Sequence, residues 1–239
     1  MPRNHYLDAR IQKRLPNVQD NQVEYTGMKI NKHFAICAGT GGGKTNALYD
    51  YILQTSKGRG TFHHIYLCYK TEEPLYSDLK EELEGGITTY KSVSAFPSAK
   101  DFPDAETTDY KYQFLVIFDD CINDKNKEDM DKIKDYFTFA RKKGVTVCFL
   151  AQSFFDINIF IRKQLSYLLL LTIKGKTDLR NILRDYGSLD YTIDELYAIY
   201  KTATEKRDPN DIPFLKICTE NCALNKKFSR DWLEYLIIE

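Results

Sequence analysis

Apolar residues along this chain fall into short runs, separated by segments whose apolar positions recur every three or four residues. HFAICA (33–38), HHIYLCY (63–69), YQFLVIF (112–118), VTVCFLA (145–151) and YLLLLTI (167–173) are runs of strand length. Several are apolar at consecutive positions, as strands covered on both faces should be. PFLKICT (213–219) reads as a sixth strand and ITTYKS (87–92) as a short extra one. Helical spacing fills the gaps. Thr45 to Gln54 places Ala47, Leu48, Tyr51 and Ile52 on one side. Pro74 opens a helix that reaches Glu84, with Gly85-Gly86 as its stop. Lys127 to Lys143 spaces Met130, Ile133, Phe137 and Ala140 at helical intervals and ends at Gly144, and Ile193 to Lys206 is another helix. Such alternation predicts βαβ units and an α/β fold around a largely parallel sheet.

Two stretches lie outside that rhythm. Residues 1–26 are polar, carry Pro2 and Pro16, and read as an extended arm ahead of a body spanning 27–239. Residues 93–111 hold two prolines and many polar groups and read as a long loop, a kind of segment that often carries function. With 239 residues, 43% of them hydrophobic, the chain can bury a sizeable core. Its 34 basic and 34 acidic residues cancel, so a broad electrostatic footprint for nucleic acid is missing. Contact with DNA then falls to local loops or to an assembly that concentrates them. Four of the six cysteines sit inside apolar runs, where free cysteine acts as a small hydrophobe. Cys218 and Cys222 have no second pair and no nearby histidine, short of the four ligands of a structural zinc site. This usage suits a reducing compartment. The opening MPRNHYLDAR lacks an apolar signal core. The longest apolar run, Leu165 to Ile173, is well under the ~20 residues of a membrane span. The expectation is a soluble, intracellular protein.

Chemistry enters with AGTGGGKT, Ala38 to Thr45. Three glycines directly ahead of a lysine suit a loop whose backbone N–H groups turn inward to phosphate oxygens, since side chains would block them. The stretch fits the Walker A pattern G-x-x-x-x-G-K-[ST], with Ala38 at its first position. Gly39, Thr40, Gly41, Gly42 and Gly43 would cradle phosphate. Lys44 would reach the β- and γ-phosphates, and the Thr45 hydroxyl would ligate Mg²⁺. The helix that follows offers its positive end to the same anion. A flexible glycine turn would explain neither the lysine and threonine nor the strand and helix around them.

FLVIFDD, Phe114 to Asp120, ends a buried strand in two carboxylates. They repel each other, so a bound cation or separate roles would help. As a Walker B arrangement, Asp119 holds Mg²⁺ through water and Asp120 orients and deprotonates the attacking water. A solvated strand end is the bland alternative. Gln152 follows the strand 145–151, where a polar residue of additional-strand ATPases senses the γ-phosphate; an ordinary polar strand end is the other reading. Arg141 stands at a helix end beside Lys142 and Lys143. Cations are favourable there for dipole reasons alone. The sharper reading is an arginine finger toward a neighbouring subunit's nucleotide. Arg162 is a weaker choice for that role.

Taken in order, AGTGGGKT, FLVIFDD and RKKGVTVCFLAQS resemble the FtsK–HerA superfamily of DNA-pumping ATPases. More narrowly they resemble the genome-packaging ATPases of virophages and of poxvirus-type large DNA viruses, over about residues 30–175. The resemblance implies a three-layer αβα P-loop fold of the additional-strand type. It also implies ATP and Mg²⁺ as cofactors, a homo-oligomeric ring of five or six subunits around double-stranded DNA, and capsid proteins as further partners in a virion or virus factory. Lys44, Asp120, Gln152 and Arg141 carry over as catalytic residues, and Thr45 and Asp119 as metal ligands. Lys91 and Lys100 are possible pore contacts. The competing enzyme class is a P-loop nucleotide or small-molecule kinase, for which Arg180, Arg184 and Arg207 would supply a lid. A non-catalytic nucleotide-switched module is the third reading.

Overall fold

The computed structural model describes residues 21–57, 60–105, 112–121, 126–187, 189–220 and 222–237. Among them, nine strands form one sheet: β1 (Phe34–Cys37), β2 (His64–Tyr69), β3 (Ile87–Tyr90), β4 (Phe114–Asp119), β5 (Val145–Ala151), β6 (Tyr167–Leu170), β7 (Leu215–Cys218), β8 (Phe228–Arg230) and β9 (Glu234–Tyr235). The order is β3-β2-β4-β5-β1-β6-β7-β8-β9. Every pairing from β3 across to β6 is parallel, and β7, β8 and β9 are added antiparallel. β5 therefore separates β1 from β4, as an additional-strand ATPase requires.

Among the described residues, seven α-helices accompany the sheet: α1 (Asn21–Thr26), α2 (Lys44–Ser56), α3 (Pro74–Glu82), α4 (Lys127–Phe139), α5 (Ile159–Gln164), α6 (Lys176–Tyr186) and α7 (Ile193–Thr204). Because strand side chains alternate, each central strand feeds two cores. Phe34 and Ile36 of β1 join Leu115, Ile117 and Leu150 under α2 and α3, through Leu48, Tyr51, Ile52 and Leu79. Ala35 and Cys37 join Val116, Phe118, Val147 and Phe149 under α4 to α7, through Ile133, Tyr136, Ile161, Ile182 and Ile199. Fully burying one such side chain contributes about 1.5–3 kcal/mol, so the consecutive apolar runs reflect cover on both faces. The result is the three-layer αβα arrangement.

Three expectations change. Of the expected extended arm, residues 1–20 lie outside the described residues, but 21–26 form α1. Periodicity could not show it, because a six-residue helix is held from outside. It packs on α2. Lys216, buried in β7, donates to the carbonyls of Thr26 and Trp232, which ties α1 to the antiparallel edge. Burial pulls the Lys216 ammonium down to a pKa of about 8. The loop from 93 stays irregular over its described part, apart from a 3₁₀ turn at Ala99–Asp101, but it is packed down. Val93, Phe96, Ala99, Phe102 and Ala105 are all buried, and Phe96 packs on Phe118 and Tyr136 at ring distances of 5.2 and 5.6 Å. Its residues 106–111 lie outside the description. Finally, the helix read as 127–143 stays α-helical to Phe139 and tightens into a 3₁₀ turn over Ala140–Lys143 before Gly144. α5, α6, β8 and β9 had no counterpart in the sequence reading.

Candidate functional site

The glycine loop leaves β1 between two parallel neighbours. Ala38 N donates to Ala151 O (3.2 Å) and Leu171 N to Cys37 O (3.0 Å), so the loop's root is fastened to the ends of β5 and β6. A turn follows, closed by Gly42 N to Gly39 O at 2.9 Å. Gly42 admits no side chain, since a Cβ would stand 2.7 Å from Ala38 Cβ and 2.8 Å from Gly39 O. Gly43 has φ +89°, and a Cβ there would meet Ile212 Cγ2 at 2.3 Å. Glycine is thus required twice, once by crowding and once by conformation as well. Gly43 caps α2 without a side-chain bond, which leaves first-turn N–H groups open to an anion.

Lys44 opens α2, and its ammonium rests on Ala38 O at 3.3 Å, folded back over the loop. Thr40 Oγ1 donates to Gln152 Oε1 at 3.1 Å. The phosphate loop and the residue after β5 are therefore in direct contact. Gly39 to Gly43 form one wall of a cleft of about 300 Å³. The facing wall is Leu171, Thr172, Lys174, Thr204, Lys206, Asp211, Ile212 and Pro213. Sequence reasoning missed this wall. Its placement depends on β6 lying beside β1 and on β7 returning antiparallel, and neither pairing is written in a local pattern.

Asp119 ends β4, and only 9% of it is exposed. Burial raises its carboxyl pKa. The Tyr76 hydroxyl and, more weakly, the Lys44 charge oppose that rise, while Glu73 and Asp120 add to it. Tyr76 Oη donates to Asp119 Oδ2 at 2.6 Å. Thr45, in the first turn of α2, is 8% exposed. Asp120 is half-buried and sits at φ +52°, a left-handed conformation. For a residue with a Cβ this costs on the order of 1 kcal/mol, least for Asp and Asn. The Thr45 hydroxyl and the Asp119 carboxylate are hard oxygen donors and fit Mg²⁺, which prefers one or two protein oxygens completed by phosphate and water.

Arg141 does not join this site. Its backbone lies in the turn ahead of β5, whereas Gln152 lies past its far end. Seven strand residues separate the two, about 23 Å. Arg162 lies on α5 with its guanidinium 5.4 and 5.3 Å from the rings of Phe154 and Phe155. Arg184 pairs with Asp185 at 3.3 Å and Arg207 is bidentate to Glu234, and among the described residues no arginine lines the cleft. Lys91 is also engaged. It bonds Glu72 at 2.7 Å and lies 3.8 Å from the Tyr69 ring centroid. No described helix is long and apolar enough to cross a membrane.

The model of the poxvirus A32 protein family matches residues 23–208, and the chain belongs to that family. No curated protein matches its sequence. Among solved structures it is similar to the genome-packaging NTPase B204 of Sulfolobus turreted icosahedral virus 2 in complex with sulfate. The TM-score is 0.55 at 14% identity, over 85% of this chain and 97% of that one. B204 of Sulfolobus turreted icosahedral virus, described as a DNA-packaging ATPase, gives 0.54 at 12% identity over 85% and 98%. The cytoplasmic domain of the type VII secretion ATPase EccC of Thermomonospora curvata gives 0.57 at 13% identity, over 87% of this chain and 26% of that one. The resemblance read from the three motifs is thereby met, and the fold is that of the P-loop ATPases.

Proposed function

We propose that this chain is the ATP-hydrolysing subunit of a motor that drives double-stranded DNA into a viral capsid. The observation that carries the reading is the contact of the glycine loop with the end of β5, where Thr40 donates to Gln152. The charge of Lys44 is felt at Asp119, at the end of β4. B204 of Sulfolobus turreted icosahedral virus 2, which shares the fold, has been solved in complex with ATP-gammaS and with AMPPCP.

In this reading the loop N–H groups and the start of α2 hold the β- and γ-phosphates. Lys44 leaves Ala38 O to neutralise them. Thr45 and Asp119 hold Mg²⁺, which, when bound, draws charge from the transferring phosphoryl group. Asp120 takes a proton from the attacking water and orients it. Gln152 registers loss of the γ-phosphate and, through Thr40, passes it to the loop. Arg141 stands too far from its own cleft to act there, so a catalytic role needs a ring in which it meets a neighbour's nucleotide. Five or six copies would also multiply a few basic contacts per subunit into useful affinity for DNA, despite the neutral net charge.

Phosphate release with and without linear double-stranded DNA tests the reading. Stimulation by DNA is expected. Turnover that appears only with a small phosphate acceptor would replace the motor with a kinase.

A further inference from the structure

Tyr76 holds the Asp119 carboxylate of the candidate cation site, and no sequence motif marked it. The residue is fully buried. Its hydroxyl donates to Asp119 Oδ2 at 2.6 Å. A phenol has one proton to give, and here the carboxylate takes it. One carboxylate oxygen of Asp119 is occupied, and the other stays free.

The rest of α3 and β2 holds this phenol in place. Pro74 opens the helix, and Tyr76 N bonds Glu73 O at 3.0 Å. The Tyr69 ring packs on Tyr76 at 5.0 Å. Tyr69 Oη in turn donates to Glu72, which is bonded by Lys80 at 2.6 Å and by Lys91 at 2.7 Å. A phenol needed only to fill the core would not require a hydroxyl aimed at the Asp119 carboxylate.

Resting on the nucleotide-site reading above, we propose that Tyr76 is a positioning residue that sets the Asp119 carboxylate in its cation-binding arrangement before nucleotide and Mg²⁺ arrive. Partners behind metal ligands orient them, and losing one commonly lowers metal affinity by about 10–100-fold. Tyr76→Phe keeps the ring and removes the hydroxyl. The test is calorimetric binding of a non-hydrolysable ATP analogue across a Mg²⁺ series and in EDTA, which needs no turnover. The variant should need about tenfold more Mg²⁺ for half-maximal enhancement of binding, with unchanged affinity in EDTA. An unchanged Mg²⁺ requirement, whatever the shift in melting temperature, overturns the proposal. Should the Phe variant fail to fold, a fluorinated tyrosine at position 76 preserves the hydroxyl and makes it a stronger donor to Asp119. It should lower the Mg²⁺ requirement, and no change there is equally fatal. Wild-type binding that ignored Mg²⁺ would overturn the nucleotide-site reading and this proposal together. Wild-type dependence retained in full by the variants would overturn this proposal alone.

Discussion

Lys44→Ala lowers ATP turnover by about 10²–10³-fold, the scale on which one preorganised charge acts in a transition state, and removes detectable nucleotide binding. The ammonium reaches Ala38 O only at a long 3.3 Å, so its loss gives up little stabilising interaction. Alanine is also the best helix former at the first position of α2. The fold should therefore survive, with a melting temperature near that of the wild type. The remaining lysines of the cleft, Lys174 and Lys206, belong to the facing wall and are not placed over the loop. Equilibrium titration with a fluorescent ATP analogue checks the binding, and phosphate release checks the rate. A variant that melts normally and still binds with wild-type affinity would mean that the glycine loop is not the phosphate cradle.

Asp120→Asn separates binding from chemistry. Nucleotide affinity should be kept, and hydrolysis should fall by about 10²–10⁴-fold, the usual contribution of a positioned base. Asparagine matches aspartate in size and tolerates the same left-handed backbone, so φ +52° need not change. Repulsion of Asp119 by its neighbour, one of the influences raising the Asp119 pKa, would disappear. Cation binding should suffer little for that reason. Single-turnover measurements on preloaded enzyme distinguish slow chemistry from slow product release. Retained turnover would move the base elsewhere, with Glu73, whose charge is felt at Asp119, the first carboxylate to examine.

The parallel sheet was legible because its strands are buried on both faces, and two-faced burial writes consecutive apolar residues. The glycine loop stood out by its pattern, and the fold requires glycine at positions 42 and 43 on steric grounds. Asp119 and Gln152 were singled out because each ends an apolar run. Tyr76 was not. Its spacing within α3 matches a core position, and a buried aromatic looks the same in sequence whether or not its hydroxyl has work. The wall from Thr204 to Pro213 stayed hidden for another reason. Its residues reach the glycine loop only through the antiparallel return of β7, a long-range pairing with no local signature.

The central claim is that hydrolysis in this cleft moves DNA. Displacement of a third strand annealed to linear double-stranded DNA, followed during ATP addition, measures movement itself. The account predicts ATP-dependent displacement by the wild-type protein and none by Lys44→Ala. DNA-stimulated hydrolysis by an assembled wild-type protein that never displaces the third strand would contradict it.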